Sequence, residues 1–303
     1  MLTFSSLQFR YGIGTCLLIA VSFPWFAVAQ SFTHVHLRTP NPAAAAEWYH
    51  TLLGGTLRPS STGMGSVGQI HGSIAMMFDE ESAEPSSGGV IDHFGFAVAD
   101  VQAMVEKAGF MGALVVSDPQ PGVTASMVAM IEDPWGTQIE LLESADFHGI
   151  QHVHMVTEGA DVLRDWFLQV FGGEYDPDSG GESLHAIRYD GIWIYVSEAP
   201  EPLDPPVLPY LLSPSDQFGW LDQLAATNLI EVPISGTMPS RGRALDHIGF
   251  SVVNMDEVAA RVQASGYEPY ATRPNRPGGT TLLMFFEGAS GIHFEIAQPN
   301  GVQ

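Results

Sequence analysis

Four times along the chain a histidine opens an apolar, alternating stretch: His34-Val35-His36-Leu37, Asp92-His93-Phe94-Gly95-Phe96, His152-Val153-His154-Met155 and Asp246-His247-Ile248-Gly249-Phe250. The first and third copies match over a longer span. His34 is followed by Glu47-Trp48-Tyr49-His50-Thr51-Leu52-Leu53-Gly54-Gly55, and His152, 118 residues later, by Asp165-Trp166-Phe167-Leu168-Gln169-Val170-Phe171-Gly172-Gly173. The second and fourth copies match each other: His93 precedes Glu140 in Gln138-Ile139-Glu140-Leu141, and His247 precedes Glu295 in His293-Phe294-Glu295-Ile296. A repeat at this scale dictates the architecture before any single residue does. The order is A-B-A'-B', a doubling of a unit already double.

Each copy predicts the same elements. A short strand carries the histidine. A helix follows, over residues 42–53, 100–108, 161–171 and 255–264, with Asn41 as N-cap, Pro42 in the first turn, and Gly54 and Gly172 as stops. Three strands then follow; in the second copy they cover 113–117, 125–131 and 137–143, with Asp133-Pro134-Trp135-Gly136 as a turn. The expected fold class is therefore α+β, four βαβββ modules. A carboxylate on an apolar strand is costly to bury unless something neutralises it. Four strand histidines and two strand glutamates supply two sets of two His and one Glu, a recurring ligand set for divalent metals with open coordination positions. The metal candidates are thus His34, His93, Glu140, His152, His247 and Glu295. Because residues i and i+2 of a strand share a face, His36 and His154 point with them.

With these motifs the chain resembles the vicinal oxygen chelate superfamily, the group of glyoxalase I, extradiol dioxygenases and bleomycin- and fosfomycin-resistance proteins. The resemblance covers about residues 32–298 and rests on the Asp-His-x-Gly-Phe starts and the Asp133-Pro134-x-Gly136…Glu140 turn. It implies modules paired into two open half-barrels whose inward faces bind a divalent metal ion, Fe, Mn, Zn or Ni. It puts the ligand at the first His of each pair, leaving His36 and His154 one step further along the same face, to support the ligands or contact the substrate. Aligning the last strands sets Met76 and Tyr195 opposite Glu140 and Glu295, where many members carry a fourth ligand. Module pairing stays open. Adjacent pairing gives His34/His93/Glu140 and His152/His247/Glu295; exchanged pairing gives His34/His247/Glu295 and His93/His152/Glu140. On adjacent pairing the domains are 30–146 and 147–303, the second interrupted by a Pro-rich insertion at 197–243. That arrangement gathers Glu295, Tyr195 and His293 as catalytic groups around the second site, with Arg273 and Arg276 placed to clamp a substrate carboxylate.

Chelation of two vicinal oxygens serves isomerisation, lysis and oxygen activation alike. Residues 280–288 and 126–131 lack the His and Tyr that the extradiol motif places before its turn, which favours isomerase or lyase chemistry over Fe(II) ring cleavage. Two ligand triads argue against a resistance-type protein that only binds. With 34 acidic against 11 basic residues and a formal charge of −23, the surface repels phosphate backbones and anionic membranes, so the expected partner is a small-molecule substrate and not nucleic acid. A monomer or homodimer is expected.

Arg10, a long apolar run and Ala27-Val28-Ala29 read as a secretory signal peptide over residues 1–29. Cys16 is the only cysteine, so the mature chain would carry no thiol. That composition suits a bacterial periplasmic or secreted protein held by its core rather than by disulfides. The expected outcome, checked by intact mass of exported protein, is a chain beginning at Gln30; a full-length membrane-embedded species would overturn it.

Overall fold

Alternation of apolar and polar residues along the strands decides the layers. In the computed structural model, which describes residues 30–59, 67–123, 125–179, 184–200 and 238–301, each module is a strand, a helix and a three-stranded meander. The first holds β1 (Ser31–Thr39), α1 (Pro42–Leu53), β2 (Thr56–Pro59), β3 (Val67–His71) and β4 (Ile74–Glu80). The second holds β5 (Ile91–Val98), α2 (Val101–Phe110), β6 (Leu114–Gln120), β7 (Val128–Glu132) and β8 (Gln138–Glu143). The third holds β9 (Gly149–Thr157), α3 (Ala160–Phe171), β10 (Glu174–Asp176), β11 (Leu184–Tyr189) and β12 (Ile192–Glu198). The fourth holds β13 (Leu245–Ser251), α4 (Met255–Ala264), β14 (Ala271–Pro274), β15 (Leu282–Glu287) and β16 (His293–Gln298). The proposed signal peptide and most of the insertion, residues 201–237, lie outside the described residues.

Local chemistry sets the helix ends. Asn41 Oδ1 accepts from Ala44 N at 3.0 Å and Asp100 Oδ1 from Ala103 N at 2.9 Å, each satisfying a donor that a helix start leaves free. α3 has no such residue of its own. Glu198 at the end of β12 reaches over and takes Gly159 N and Ala160 N at 2.8 and 2.9 Å. Gly54 and Gly172 end their helices at φ of 76° and 70°, the left-handed side that the sequence assigned to glycine there.

The strands assemble into two open eight-stranded sheets, in the orders β14-β15-β16-β13-β1-β4-β3-β2 and β10-β11-β12-β9-β5-β8-β7-β6. Modules one and four share the first sheet, two and three the second. The exchanged pairing is therefore the one formed, and the division into consecutive half-barrels at 30–146 and 147–303 is corrected. At the centre of each sheet the first strands of two modules run antiparallel, β1 against β13 and β5 against β9. Within each module the last strand lies parallel to the first.

Side chains alternate across these central strands. Val35, Phe94, Val153 and Ile248 face the helices and are wholly buried; their neighbours His34, His93, His152 and His247 face the concave side. The helices do not follow the sheet pairing. Tyr49 of α1 packs on Phe78 of its own module and on Phe94 of β5 in the other sheet, and its hydroxyl donates to Asp133 at 2.6 Å. Phe171 of α3 stacks on Phe250 of β13 with centroids 4.4 Å apart, beside Phe294. Consecutive modules thus share aromatic cores, while strand pairing joins the exchanged ones, and the buried apolar residues form one cluster. Each such ring contributes about 1.5–3 kcal/mol through burial.

Because each sheet draws strands from both sequential halves, neither half contains a complete half-barrel. Residues 30–146 produced alone are expected to remain unfolded or aggregate, and to form a soluble complex only with residues 147–303. Co-expression followed by size exclusion and circular dichroism tests this; a well-folded monomeric 30–146 would contradict it.

Candidate metal centres

Register brings the ligands together. Along β1 and β13, His36 stands opposite His247 and His34 opposite Gly249; β16 then sets Glu295 beside Gly249. The second sheet repeats this: His154 opposite His93, His152 opposite Gly95, Glu140 beside Gly95. In the first sheet a ligand atom from each of His34, His36, His247 and Glu295 lies within 4.8 Å of the others. In the second the same holds for His93, His152 and His154, with Glu140 Oε2 3.3 Å from His152 Nε2. These groups can take a divalent metal.

The two glycines make the approach possible. At Gly249 an added Cβ would collide with Cε1 of His34, and at Gly95 with Cε1 of His152, far inside any real Cβ contact. The glycine of each Asp-His-x-Gly-Phe motif is therefore the floor on which the partner module's imidazole lies.

The residue before each strand histidine fixes its ring. Nδ1 is met by Thr33 Oγ1 at 3.1 Å for His34, Asp92 at 2.7 Å for His93, Gln151 Oε1 at 2.6 Å for His152 and Asp246 at 2.7 Å for His247. An acceptor on Nδ1 puts the lone pair on Nε2 and aims it inward. The Nε2 atoms of His34, His93, His152 and His247 are buried with no hydrogen-bond partner, as are both ring nitrogens of His36. An orphaned buried polar atom costs about 1–3 kcal/mol. Several converging on one carboxylate fit a cation.

Electrostatics separate the two centres. Burial lowers His34 to about 3, and burial with neighbouring imidazoles takes His152 and His154 well below the usual range, so all three remain neutral donors. Burial raises the Glu140 carboxyl. At His247 burial opposes the charged form, but Asp246 and Glu295 outweigh it and raise the ring to about 9. Burial likewise works against the Glu295 anion, yet His247 and His34 hold it at about 2. The first centre thus traps positive charge even as a proton.

Asp246 is the hub of that centre. Wholly buried, it receives Arg38 Nε at 2.7 Å, Gly242 N at 2.6 Å, His247 Nδ1 at 2.7 Å and His293 Nδ1 at 2.8 Å. Burial disfavours its charge, but the two imidazoles keep the carboxyl well below the usual carboxylate range. Nε2 of His293 is hydrogen-bonded to the hydroxyl of Tyr270, a half-exposed residue. Ser240 Oγ donates to Asp246 O at 2.7 Å and accepts from His293 N at 2.9 Å, tying β13 to β16; Ser86 ties β5 to β8 in the same way.

The expected residues regroup accordingly. His34, His247 and Glu295 meet in one centre and His93, His152 and Glu140 in the other, while His152 does not join His247 and Glu295. His36 and His154 lie within the ligand clusters rather than beyond them. His293 and Glu295 belong to the first centre, but Tyr195 stands in the second, its ring 4.7 Å from that of His152, so the three expected catalytic groups do not share a site. Across from His36 stands Met77, not Met76; Met76 faces the core and is fully buried. The alignment was one residue out, which on a strand reverses the face. Arg273 is exposed on β14 over the ring of Phe285 at 5.1 Å, and Phe285 edges His247; Arg276 is exposed in the turn beyond. Asp92, Asp246, Gln151, Thr33 and Tyr270 received no role from the sequence. The first four had a signal: each immediately precedes a strand histidine.

Residues 31–141 match the sequence model of the Glyoxalase/Bleomycin resistance protein/Dioxygenase superfamily. Comparison with curated protein sequences gives no significant match. Among solved structures, glyoxalase I from Zea mays superposes with a TM-score of 0.63 at 13% identity, over 89% of this chain and 92% of that one. A Bacillus subtilis protein provisionally named a dioxygenase superposes with a TM-score of 0.57 at 15% identity, over 89% and 85%. At these identities the likeness is one of fold.

Gly249→Ala is expected to displace His34 and remove metal from the first centre alone, and Gly95→Ala to do so at the second through His152. Metal content after loading and dialysis checks this: each variant should lose one equivalent of two. Full loading in both would show that the rings tolerate the added methyl group.

Proposed function

We propose that this protein, whose residues 31–141 belong to the glyoxalase/bleomycin resistance protein/dioxygenase superfamily and whose fold is that of glyoxalase I, is a divalent-metal-dependent enzyme. Its substrate would be a small molecule held through two vicinal oxygens, and its chemistry that of an isomerase or lyase. The observation carrying this reading is the set of buried, unbonded Nε2 atoms that cluster with Glu295 in one sheet and, in the other, lie together with Glu140 3.3 Å from His152. His34, His247 and Glu295 would hold the ion in one centre, and His93, His152 and Glu140 in the other. A bound divalent ion supplies Lewis acidity to the two substrate oxygens and stabilises negative charge developing between them.

The first centre has the equipment to move a proton. Asp246 is ionised and accepts from His293 Nδ1–H; His293 Nε2 accepts from the Tyr270 hydroxyl. Burial lowers His293, so it is a neutral acceptor, and burial raises Tyr270, so it is a protonated donor. As Tyr270 Oη takes a proton from a substrate carbon next to the chelating oxygens, its own passes to His293 Nε2, and Asp246 stabilises the imidazolium that forms. Arg273, stacked on Phe285, can pair with a substrate carboxylate. The acidic surface favours small substrates over polyanions.

A second reading, Fe(II) ring-cleavage dioxygenase, gains support from the same pair. The His and Tyr missing from 280–288 are supplied by His293 and Tyr270, beside two His and one Glu, the facial set of non-haem iron oxygenases.

Solvent-deuterium incorporation next to the carbonyl of α-hydroxyketones and 1,2-dicarbonyls tests the first reading. Tyr270→Phe and His293→Gln should slow exchange by about a hundredfold with metal content unchanged, and Glu295→Gln should abolish it while Glu140→Gln leaves it largely intact. Exchange undiminished in Tyr270→Phe would remove the relay. Oxygen consumption with catechols, and no exchange, would establish the second reading.

A further inference from the structure

A row of two side chains, one on the first strand and its neighbour on the last, recurs at the same place in each of the four modules, and its ligand changes strand in a reciprocal way. In modules two and four the last strand offers a carboxylate and the first strand a glycine directly beside it: Glu140 with Gly95, Glu295 with Gly249. In modules one and three the last strand has no carboxylate at that position, and the first strand carries an imidazole in the glycine's place: Met77 with His36, Tyr195 with His154. In every module this row holds one ligating side chain. Both extra histidines also sit with the proposed ligands: the His36 and His247 rings lie 4.3 Å apart, and those of His154 and His93 4.7 Å.

We infer that His36 and His154 are metal ligands, so that each centre is built from three imidazoles and one carboxylate: His34, His36, His247 and Glu295 in the first, His93, His152, His154 and Glu140 in the second. This rests on the metal reading given above. The fourth ligand that a second carboxylate would supply from Met77 or Tyr195 comes instead from the neighbouring strand, two residues beyond the first histidine. His36 is buried with both ring nitrogens lacking a hydrogen bond, though its Nε2 lies 3.0 Å from Asp79 Oδ2. His154 Nε2 meets Ser197 Oγ at 2.9 Å. Asp79 and Ser197 occupy the same place in their modules, two residues past Met77 and Tyr195, where they orient the added ring.

The exchange has a chemical consequence. Replacing a carboxylate by a neutral imidazole leaves one more unit of positive charge on the bound ion and substitutes a nitrogen donor for oxygen. Such a centre favours Co, Ni, Zn or Fe over Mn and Mg, which prefer oxygen. It also makes a bound oxygen ligand more acidic.

Co(II) titration of the purified protein, followed by its visible absorption and by competition with Mn(II), tests the inference. Wild type should bind two equivalents. His36→Gln should weaken one of them at least tenfold and change its spectrum, and His154→Gln the other. The reciprocal double substitutions, His36→Gly with Met77→Glu and His154→Gly with Tyr195→Glu, restore the arrangement of modules two and four. Each should recover Co(II) binding and shift the Mn(II)/Co(II) preference at least tenfold toward Mn(II), an outcome that a folding defect cannot imitate. Two equivalents bound with unaltered affinity and spectrum in both single variants would overturn this inference and leave the metal reading standing. No Co(II) uptake by wild type would overturn both.

Discussion

A histidine ring lying flat against the backbone of a neighbouring strand, at a point where only glycine leaves room, is the contact on which the molecule turns. It occurs once in each sheet, His34 over Gly249 and His152 over Gly95. It sets the register of the central antiparallel pairs, and a shift of one residue would send every imidazole to the apolar side. The same contact brings together ligands from strands remote in sequence. The meanders, the helices and the aromatic cores support that alignment: α1 and α3 each fasten one sheet to the other through Tyr49 and Phe171.

The two centres share a plan and differ in their surroundings. The first is wired through Asp246 to Arg38, His293 and Tyr270, reaching from the interior to a half-exposed residue. In the second, Asp92 holds His93 alone and is partly exposed, the row position of His293 is taken by Gln138, and Tyr195 lies against His152. Burial leaves His152 and His154 uncharged, whereas Asp246 and Glu295 keep His247 at about 9. One arrangement thus appears twice, once connected to a buried carboxylate, an imidazole and a phenol and once without that chain.

Much of this was legible in the sequence. The repeat gave four βαβββ modules, and period-two alternation put the histidines and glutamates on one face, because that depends only on the pleat. Helix stops at Gly54 and Gly172 followed from local backbone preference. Module pairing was not legible, since His-x-His and His-x-Gly strands fit each other equally well in adjacent or exchanged order; the aromatic packing of α1 on β5 and α3 on β13 that accompanies the exchanged order is a tertiary effect. Met76 was mistaken for Met77 because alignment of the last strands by sequence tolerates a slip that hydrogen-bond register does not. Tyr270 went unnoticed because it precedes an edge strand with no motif around it, and reaches His293 only through folding.

The nesting of one sheet inside the other in chain order has a bearing on how the molecule comes into being. The second sheet uses a continuous central stretch, from β5 to β12, and can close as soon as that stretch is present. The first sheet joins β1 to β13, from distant parts of the chain, so the strand carrying His34 and His36 can pair with β4 early but keeps its other edge open until β13 has emerged. Closing so long a loop costs little additional entropy, but such distant contacts form slowly and leave an apolar strand edge exposed in the interval. The first centre is therefore the later of the two to be complete along the chain, since His247 and Glu295 follow every residue of the second.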